Sequence, residues 1–182
     1  MMKWQDKVLI DFSKNRQLQT ERLQLRPMTI EDLTDYHEYT SDEEVLKFDY
    51  FPHKNLAESE LSLVKWNLSQ PLGRYGVELL SEGKLIGNAS LRPTQERVLE
   101  IGYTLNKDYW QQGLGTEVVC ALCQLAFDKI AAQAVQATVI ADNHASIALL
   151  KKCGFQKIAQ DDQANNSRGE ICLTYTYELK SH

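Results

Sequence analysis

Alternating and helically spaced apolar positions divide most of the chain into short elements. Residues 19–26 (QTERLQLR) put Leu23 and Leu25 on one face and predict a strand that Pro27 closes. Thr29, with Asp32 three positions later, is a capping pair that starts a helix through about Tyr39. Residues 41–44 (SDEE) repeat that signal for a shorter segment, and an aromatic-rich loop, FDYFPHK, surrounds Pro52. Asn55 and Glu58 cap the next helix, whose Leu61, Val64 and Leu68 lie along one stripe, and Pro71 and Gly73 end it. Residues 75–80 and 84–91 flank Ser81-Glu82-Gly83 and predict an antiparallel hairpin. A strand over 98–105 leads through Gly113 and Gly115 into a long apolar-striped helix, and a β-branched strand follows over 134–140. Asn143 opens one more helix, with Gly154 as its left-handed stop. Two further strands, 155–159 and 171–179, are joined by a polar loop, DDQANNSRG.

These elements predict one α/β domain, antiparallel in its first half and with helical crossovers in its second. At 182 residues, 43% hydrophobic and 25% charged, the chain can bury a full core. Its formal charge of −5 argues against nucleic acid and mildly favours a cationic substrate such as an amine. Asp42, Glu43, Glu44 and Asp49 either attract it or simply solvate a helix. No apolar run approaches the roughly 20 residues of a membrane span, and residues 1–15 lack a signal-type stretch, so a cytoplasmic location is expected. Cys120 and Cys123 fall inside a helix while Cys153 and Cys172 stand alone; all four are expected to be buried small hydrophobes, and no metal site is read. Trp66 is assigned to the core, and His37, His53, His144 and His182 to solvent.

The chemistry concentrates at Gly113-Leu-Gly115-Thr-Glu-Val118. Two glycines at a helix start leave backbone N–H groups open to an anion. A dinucleotide fingerprint wants a third glycine where Val118 stands, and a P-loop wants a lysine that is missing. A short turn that binds a pyrophosphate with N–H groups alone fits; so does a glycine loop with no ligand.

Four segments together resemble the Gcn5-related N-acetyltransferase superfamily, and within it the ribosomal-protein N-terminal acetyltransferases. They are Arg22-Leu-Gln-Leu-Arg26-Pro27 with Glu31-Asp32; Leu85-Ile-Gly87-Asn-Ala-Ser-Leu91; Glu100-Ile-Gly-Tyr103 through Trp110-Gln-Gln-Gly113-Leu-Gly115-Thr-Glu117; and Asn143-His-Ala-Ser146 through Lys152-Cys-Gly154-Phe155. Trp110 departs from the general [QR]-x-x-G-x-[GA] pattern in the manner of the ribosomal branch. The resemblance implies a single acetyltransferase domain over 1–182, with 1–18 as an N-terminal extension. Its fold is a mixed, mostly antiparallel sheet flanked by helices, with the fourth and fifth strands splayed after a bulge in the fourth.

It also implies acetyl-CoA as co-substrate. The N–H groups of Gln111, Gln112, Gly113, Leu114, Gly115 and Thr116 would cradle its pyrophosphate. Tyr103, Thr104 and Leu105 would pair with its pantetheine arm, and the N–H of Thr104, or of the residue on either side, would polarise the thioester carbonyl. Asn143 would bond to the same arm, while the residues alone read it as a helix cap. Glu100 is the expected acceptor of the amine's proton, with an arginine partner such as Arg92 as the alternative reading. Leu150 stands where many members have a tyrosine acid, so Ser146, also near the cofactor, is the expected substitute. The acceptor would be a peptide N-terminus or a small amine, walled by the first two helices. A catalytically inactive acyl-CoA-binding module is the competing reading.

Overall fold

The computed structural model describes residues 2–181; Met1 and His182 lie outside it. Helix α1 (Trp4–Lys14) precedes a two-residue strand β1 (Leu18–Gln19) and β2 (Leu23–Arg26). Next come α2 (Leu33–Thr40), entered through a tight turn, and α3 (Leu56–Leu63), which widens into a π-helical turn over Val64–Leu68. Strands β3 (Arg74–Leu79), β4 (Lys84–Gln95) and β5 (Val98–Leu105) lead into α4 (Leu114–Gln124). The chain closes with β6 (Ala134–Ile140), α5 (His144–Lys152), β7 (Gln156–Asn165) and β8 (Ile171–Lys180).

The eight strands form one sheet in the order β1-β2-β3-β4-β5-β6-β8-β7. Every pairing is antiparallel except β5 with β6, which the α4 crossover makes parallel. This is the mixed, mostly antiparallel sheet expected. On one face Leu99, Ile101 and Leu105 of β5 pack with Val118, Val119 and Leu122 of α4, with Val8 and Phe12 of α1, and with Leu150 of α5. On the other face Tyr36, Tyr39 and Leu63 from α2 and α3 meet Leu85. Tyr39 also donates its hydroxyl to Asn88 Oδ1 at 2.9 Å. The sheet is thus covered by α1, α4 and α5 on one side and by α2 and α3 on the other.

Several expectations change. Residues 4–14 form a helix that the sequence reading left as an extension. Residues 41–44 make a turn rather than a helix, with Asp42 Oδ1 accepting from the Glu44 N–H. Leu61 and Val64 are exposed, and so is Trp66, at 56%. The buried face of α3 and its π turn is instead Ser59, Leu63 and Asn67. Most of the polar stretch 161–169 is strand, because β7 continues to Asn165. Cys123 is buried, while Cys120 is exposed. No described helix is long and apolar enough to cross a membrane.

The entry to α2 is anchored electrostatically. Arg26 grips Asp32 with two parallel bonds, Nη1 to Oδ2 at 2.9 Å and Nη2 to Oδ1 at 2.7 Å, and its Nε reaches Glu78 at 2.6 Å. Asp32 also accepts from the Thr29 N–H at 2.7 Å, closing the capping box. Burial alone would lift the Asp32 carboxyl, but the bonds from Arg26 and Thr29 outweigh it and hold it below its ordinary value. Removing Asp32 takes the bidentate partner from a half-buried guanidinium, leaving it Glu78 and the Pro27 carbonyl, and opens the capping box. Asp32→Ala is therefore expected to cost about 3 kcal/mol, measured by urea unfolding; a loss below roughly 1 kcal/mol would contradict this account.

Candidate active site

The site begins where β5 and β6 stop pairing. They are in register only over Val98↔Ala134, Leu99↔Val135 and Glu100↔Gln136, after which β6 stays with β8 and β5 stays with β4. The expected bulge in 98–105 is absent: β5 runs in unbroken register with β4 from Leu99 to Leu105. The irregularity lies on β4 instead, between Pro93 and Gln95. Divergence of the strands opens the gap.

Which backbone groups line the gap follows from the ladder. Asn106 donates its N–H to Ile86 O at 2.8 Å, so it faces β4. Antiparallel pairing alternates, so Thr104 and Gly102 also spend their N–H groups on β4. Tyr103 and Leu105 point theirs into the gap. Thr104, placed from the sequence to within a residue either way, thus gives its N–H to β4, because a continuous strand fixes the parity that a bulge would have shifted. Leu105 O, on the same side, accepts from Trp110 Nε1 at 2.8 Å. That bond gives Trp110 a physical role: it folds the chain after β5 back toward the gap.

The glycine turn stands at the end of this opening. Gln111 and Gly113 adopt left-handed backbone, φ 60° and 80°. Left-handed residues next to right-handed ones turn successive N–H groups toward a common centre, a concavity suited to anions. Gly113 caps α4 without a side chain. Gly115 has a different reason: a Cβ there would come 2.7 Å from Leu149 Cδ1, so glycine lets α4 and α5 approach. Gln112, Leu114 and Thr116 complete the turn.

A brace from the connection between β1 and β2 holds the turn. Arg22 Nε donates to Glu117 Oε2 at 2.8 Å, and its Nη1 donates to Gln112 O at 2.9 Å. The Arg22 backbone N–H also reaches Glu117 Oε1 at 2.9 Å. Burial would lift the Glu117 carboxyl, but bonds from Thr20 and Arg22 prevail and keep it below its ordinary value. The carboxylate is therefore neutralised by protein, and the Arg22 cation lies beside the turn. The sequence reading missed Arg22 and Glu117 as partners; only their places in the two motifs hinted at it.

Side-chain chemistry sits on both faces of the gap. Toward α5, Ser146 Oγ and Tyr103 Oη are 2.8 Å apart, and burial pushes the Tyr103 hydroxyl up to about 12. Asn143 Oδ1 accepts from the Ser146 N–H at 3.1 Å, the cap that was expected, and its amide nitrogen is left for another acceptor. Leu150 is buried in the core at 1% exposure. On the opposite face Glu100 is held by Arg92, with Nε at 2.9 Å and Nη2 at 2.8 Å, both to Oε2. Oε1 takes no protein partner among the described residues.

The walls differ from expectation. Lys107 pairs with Asp42 at 2.7 Å and with Glu44 at 3.5 Å, so a single cation offsets only part of this acidic run. Arg168, on the turn between β7 and β8, donates to the carbonyls of Leu46 and Asp49 and lies over the Phe51 ring. His37 and His53 are not simply solvated. Their Nδ1 atoms lie 2.8 and 2.9 Å from the fully buried Ser59 Oγ, joining α2, α3 and the loop between them.

The comparisons with known proteins agree with this geometry. A family profile described as "Acetyltransferase (GNAT) domain" matches residues 22–156. The uncharacterized N-acetyltransferase YoaA of Bacillus subtilis is 30% identical over 146 residues, covering 77% of this chain and 82% of the relative. Among solved structures, a GNAT-family acetyltransferase from Bacillus anthracis superposes with a TM-score of 0.81 at 23% identity, covering 90% of this chain and 98% of that one. The microcin C7 self-immunity acetyltransferase MccE, solved with acetyl-CoA and AMP, gives 0.77 at 17% identity over 89% and 94%. Mycobacterium smegmatis RimJ, solved with CoA-disulfide, gives 0.75 at 15% over 87% and 82%. The structural likenesses carry the fold. The chain belongs to the GNAT acetyltransferase family and is an acetyltransferase.

The His37–Ser59–His53 link has a pH consequence. Burial, opposed by Glu58 and assisted by His37, lowers the His53 pKa, so the folded protein favours the neutral ring. The stabilisation is complete above the ordinary imidazole value and is lost as pH falls through the lower folded value. The melting temperature should drop on acidification below about pH 6, and His53→Gln should flatten that drop. Identical pH profiles for the two proteins would refute the link.

Proposed function

We propose that the chain transfers the acetyl group of acetyl-CoA to a primary amine by direct attack on the thioester. The observation that carries this reading is the opening between β5 and β6, with the glycine turn at its end. The residues present fit the cofactor: inward N–H groups at Tyr103 and Leu105, a converging turn at 111–116, the free Asn143 amide, and the Arg22 cation nearby. When bound, acetyl-CoA supplies an activated acetyl thioester. The reading includes a cytoplasmic location.

The chain's own groups then divide the work. Turn N–H groups and the α4 dipole hold negative charge at one end. The inward N–H of Tyr103 or Leu105 polarises a carbonyl placed in the gap; one such donor can lower a barrier by about 3 kcal/mol. Glu100 Oε1, free while Arg92 occupies Oε2, accepts a proton from an incoming ammonium, directly or through water. Ser146 Oγ, oriented by Tyr103 and by the cap at Asn143, is the hydroxyl placed to give up a proton on the other face. With Leu150 buried, this hydroxyl pair occupies the role that the missing tyrosine leaves. One further structural neighbour, from Vibrio fischeri, is described as a ribosomal-protein-S5-alanine acetyltransferase, and peptide N-termini and small amines are the acceptors to screen.

Thiol release from acetyl-CoA, followed over a panel of small amines and free-N-terminus peptides, tests the proposal. Turnover on at least one acceptor is expected, and Glu100→Gln should lower kcat about a hundredfold while acetyl-CoA affinity holds. Tight acetyl-CoA binding without turnover on any amine would favour the inactive binding module. Separately, Arg22→Ala should raise the acetyl-CoA Kd about tenfold by calorimetry; an unchanged Kd would remove the brace from the account.

A further inference from the structure

Beside Glu100 the sheet has a second opening, away from the gap between β5 and β6. Strand β3 begins at Arg74, opposite Ser90, while β4 runs on to Gln95. Beyond Ser90, β4 therefore has no β3 residue beside it, and a cavity of about 420 Å³ lies there against the 69–73 loop and α1. Pro71 and Leu72 give it apolar walls, and Arg74 and Arg92 give it two cations.

The cavity opens across the sheet edge, with Leu9 and Phe12 of α1 lining it on the α4 face, and register places Arg74 and Arg92 on the acceptor face. Directly paired residues point to the same face of a sheet. The pairs Arg74↔Ser90, Ser90↔Gly102 and Arg92↔Glu100 therefore put Arg74, Ser90, Arg92, Gly102 and Glu100 on one surface. Gly102 is exposed, and a Cβ there would approach Ser90 Oγ at 3.3 Å. The middle of this surface is low and open. From Arg74 on β3 to Gly102 on β5 is two strand spacings, about 10 Å.

The charges are unbalanced. Arg92 is already held by Glu100. Arg74 is half-buried and makes no side-chain hydrogen bond or ion pair among the described residues. Burial and the neighbouring Arg92 both work against its ionised form. The trio Arg74, Arg92 and Glu100 therefore carries one net positive charge. A single carboxylate balances it, whereas a phosphate dianion overshoots. A guanidinium fork also matches a carboxylate edge in plane.

We infer that the acceptor is an amine bearing a carboxylate about 10 Å from its nitrogen, such as a short peptide, and that Arg74 and Arg92 seat that carboxylate. This deepens the acetyl-transfer reading and rests on it for the position of the amine. A peptide of three residues spans about 10 Å when extended. The carboxylate would lie in the cavity, the backbone over Ser90 and Gly102, and the amine beside Glu100 at the entrance to the gap. Recognition would then depend on an anion at the far end of the acceptor, despite the acidic balance of the whole chain.

Calorimetric titration of the full chain with triglycine and with triglycinamide tests the inference without any turnover. Wild type should bind triglycine at least about tenfold tighter; Arg74→Met should abolish that preference and Arg74→Lys should keep part of it. Equal affinity for the two peptides, no binding of either, or a preference unaltered in Arg74→Met would overturn the inference. Thiol release from acetyl-CoA on the same peptides reads the transfer reaction separately. A carboxylate preference in binding without thiol release on any acceptor would spare the anion seat and sink the transfer reading. Equal binding and equal turnover of both peptides would do the reverse.

Discussion

After Glu100 the backbone of β5 has hydrogen-bonding groups on its β6 side and no strand to receive them. Each buried donor left without a partner costs about 1–3 kcal/mol. The protein tolerates this because β5 is secured elsewhere: β4 holds its other edge in unbroken register, and Leu99, Ile101 and Leu105 are locked under α4. Trp110 caps the Leu105 carbonyl. What remains is a short row of N–H groups, held rigidly and aimed into an opening. The glycine turn, the Arg22–Glu117 brace and the Tyr103–Ser146 hydroxyls are arranged around that row.

This arrangement separates two tasks by sheet face. The face under α4 and α5 holds the turn, the cap and the hydroxyl pair. The opposite face holds Glu100, its arginine neighbours and the walls formed by α2, α3 and the loop between them. Side-chain alternation along a single strand produces the division: Tyr103 points one way, and Glu100, Gly102 and Thr104 point the other. On the proposed reading, acetyl donor and amine approach one strand from opposite faces without competing for space. On the same reading, Arg74, which has no ion-pair partner among the described residues, favours an amine that also carries an anionic tail.

Elements with strong local signals were legible in the sequence. Strands β5 and β6, the Asn143 cap, the left-handed stop at Gly154 and the capping box at Thr29 were read from their own residues. Where tertiary contacts decide, the sequence misled. The buried face of α3 includes Ser59 because two histidines and Thr40 surround its hydroxyl, a reason no hydropathy pattern carries. Helix α1 has no side-chain cap to mark its start, although Trp4, Val8 and Phe12 recur at helical spacing along it. Strand β7 is polar and exposed nearly throughout; pairing with β8, not burial, makes it a strand. At the site, the turn and its order among four motifs pointed to the family. The choice between Thr104 and its neighbours was beyond reach, because it turns on whether one residue of β5 bulges.

Residue-resolved amide exchange with and without acetyl-CoA tests the central claim most directly, since it reads the inward N–H groups themselves. The account predicts that the cofactor slows exchange at Tyr103 and Leu105 and across the 111–116 turn, while Thr104, already bonded to β4, changes little. Protection confined to other segments, or none at 103, 105 and 111–116 under saturating acetyl-CoA, would contradict it.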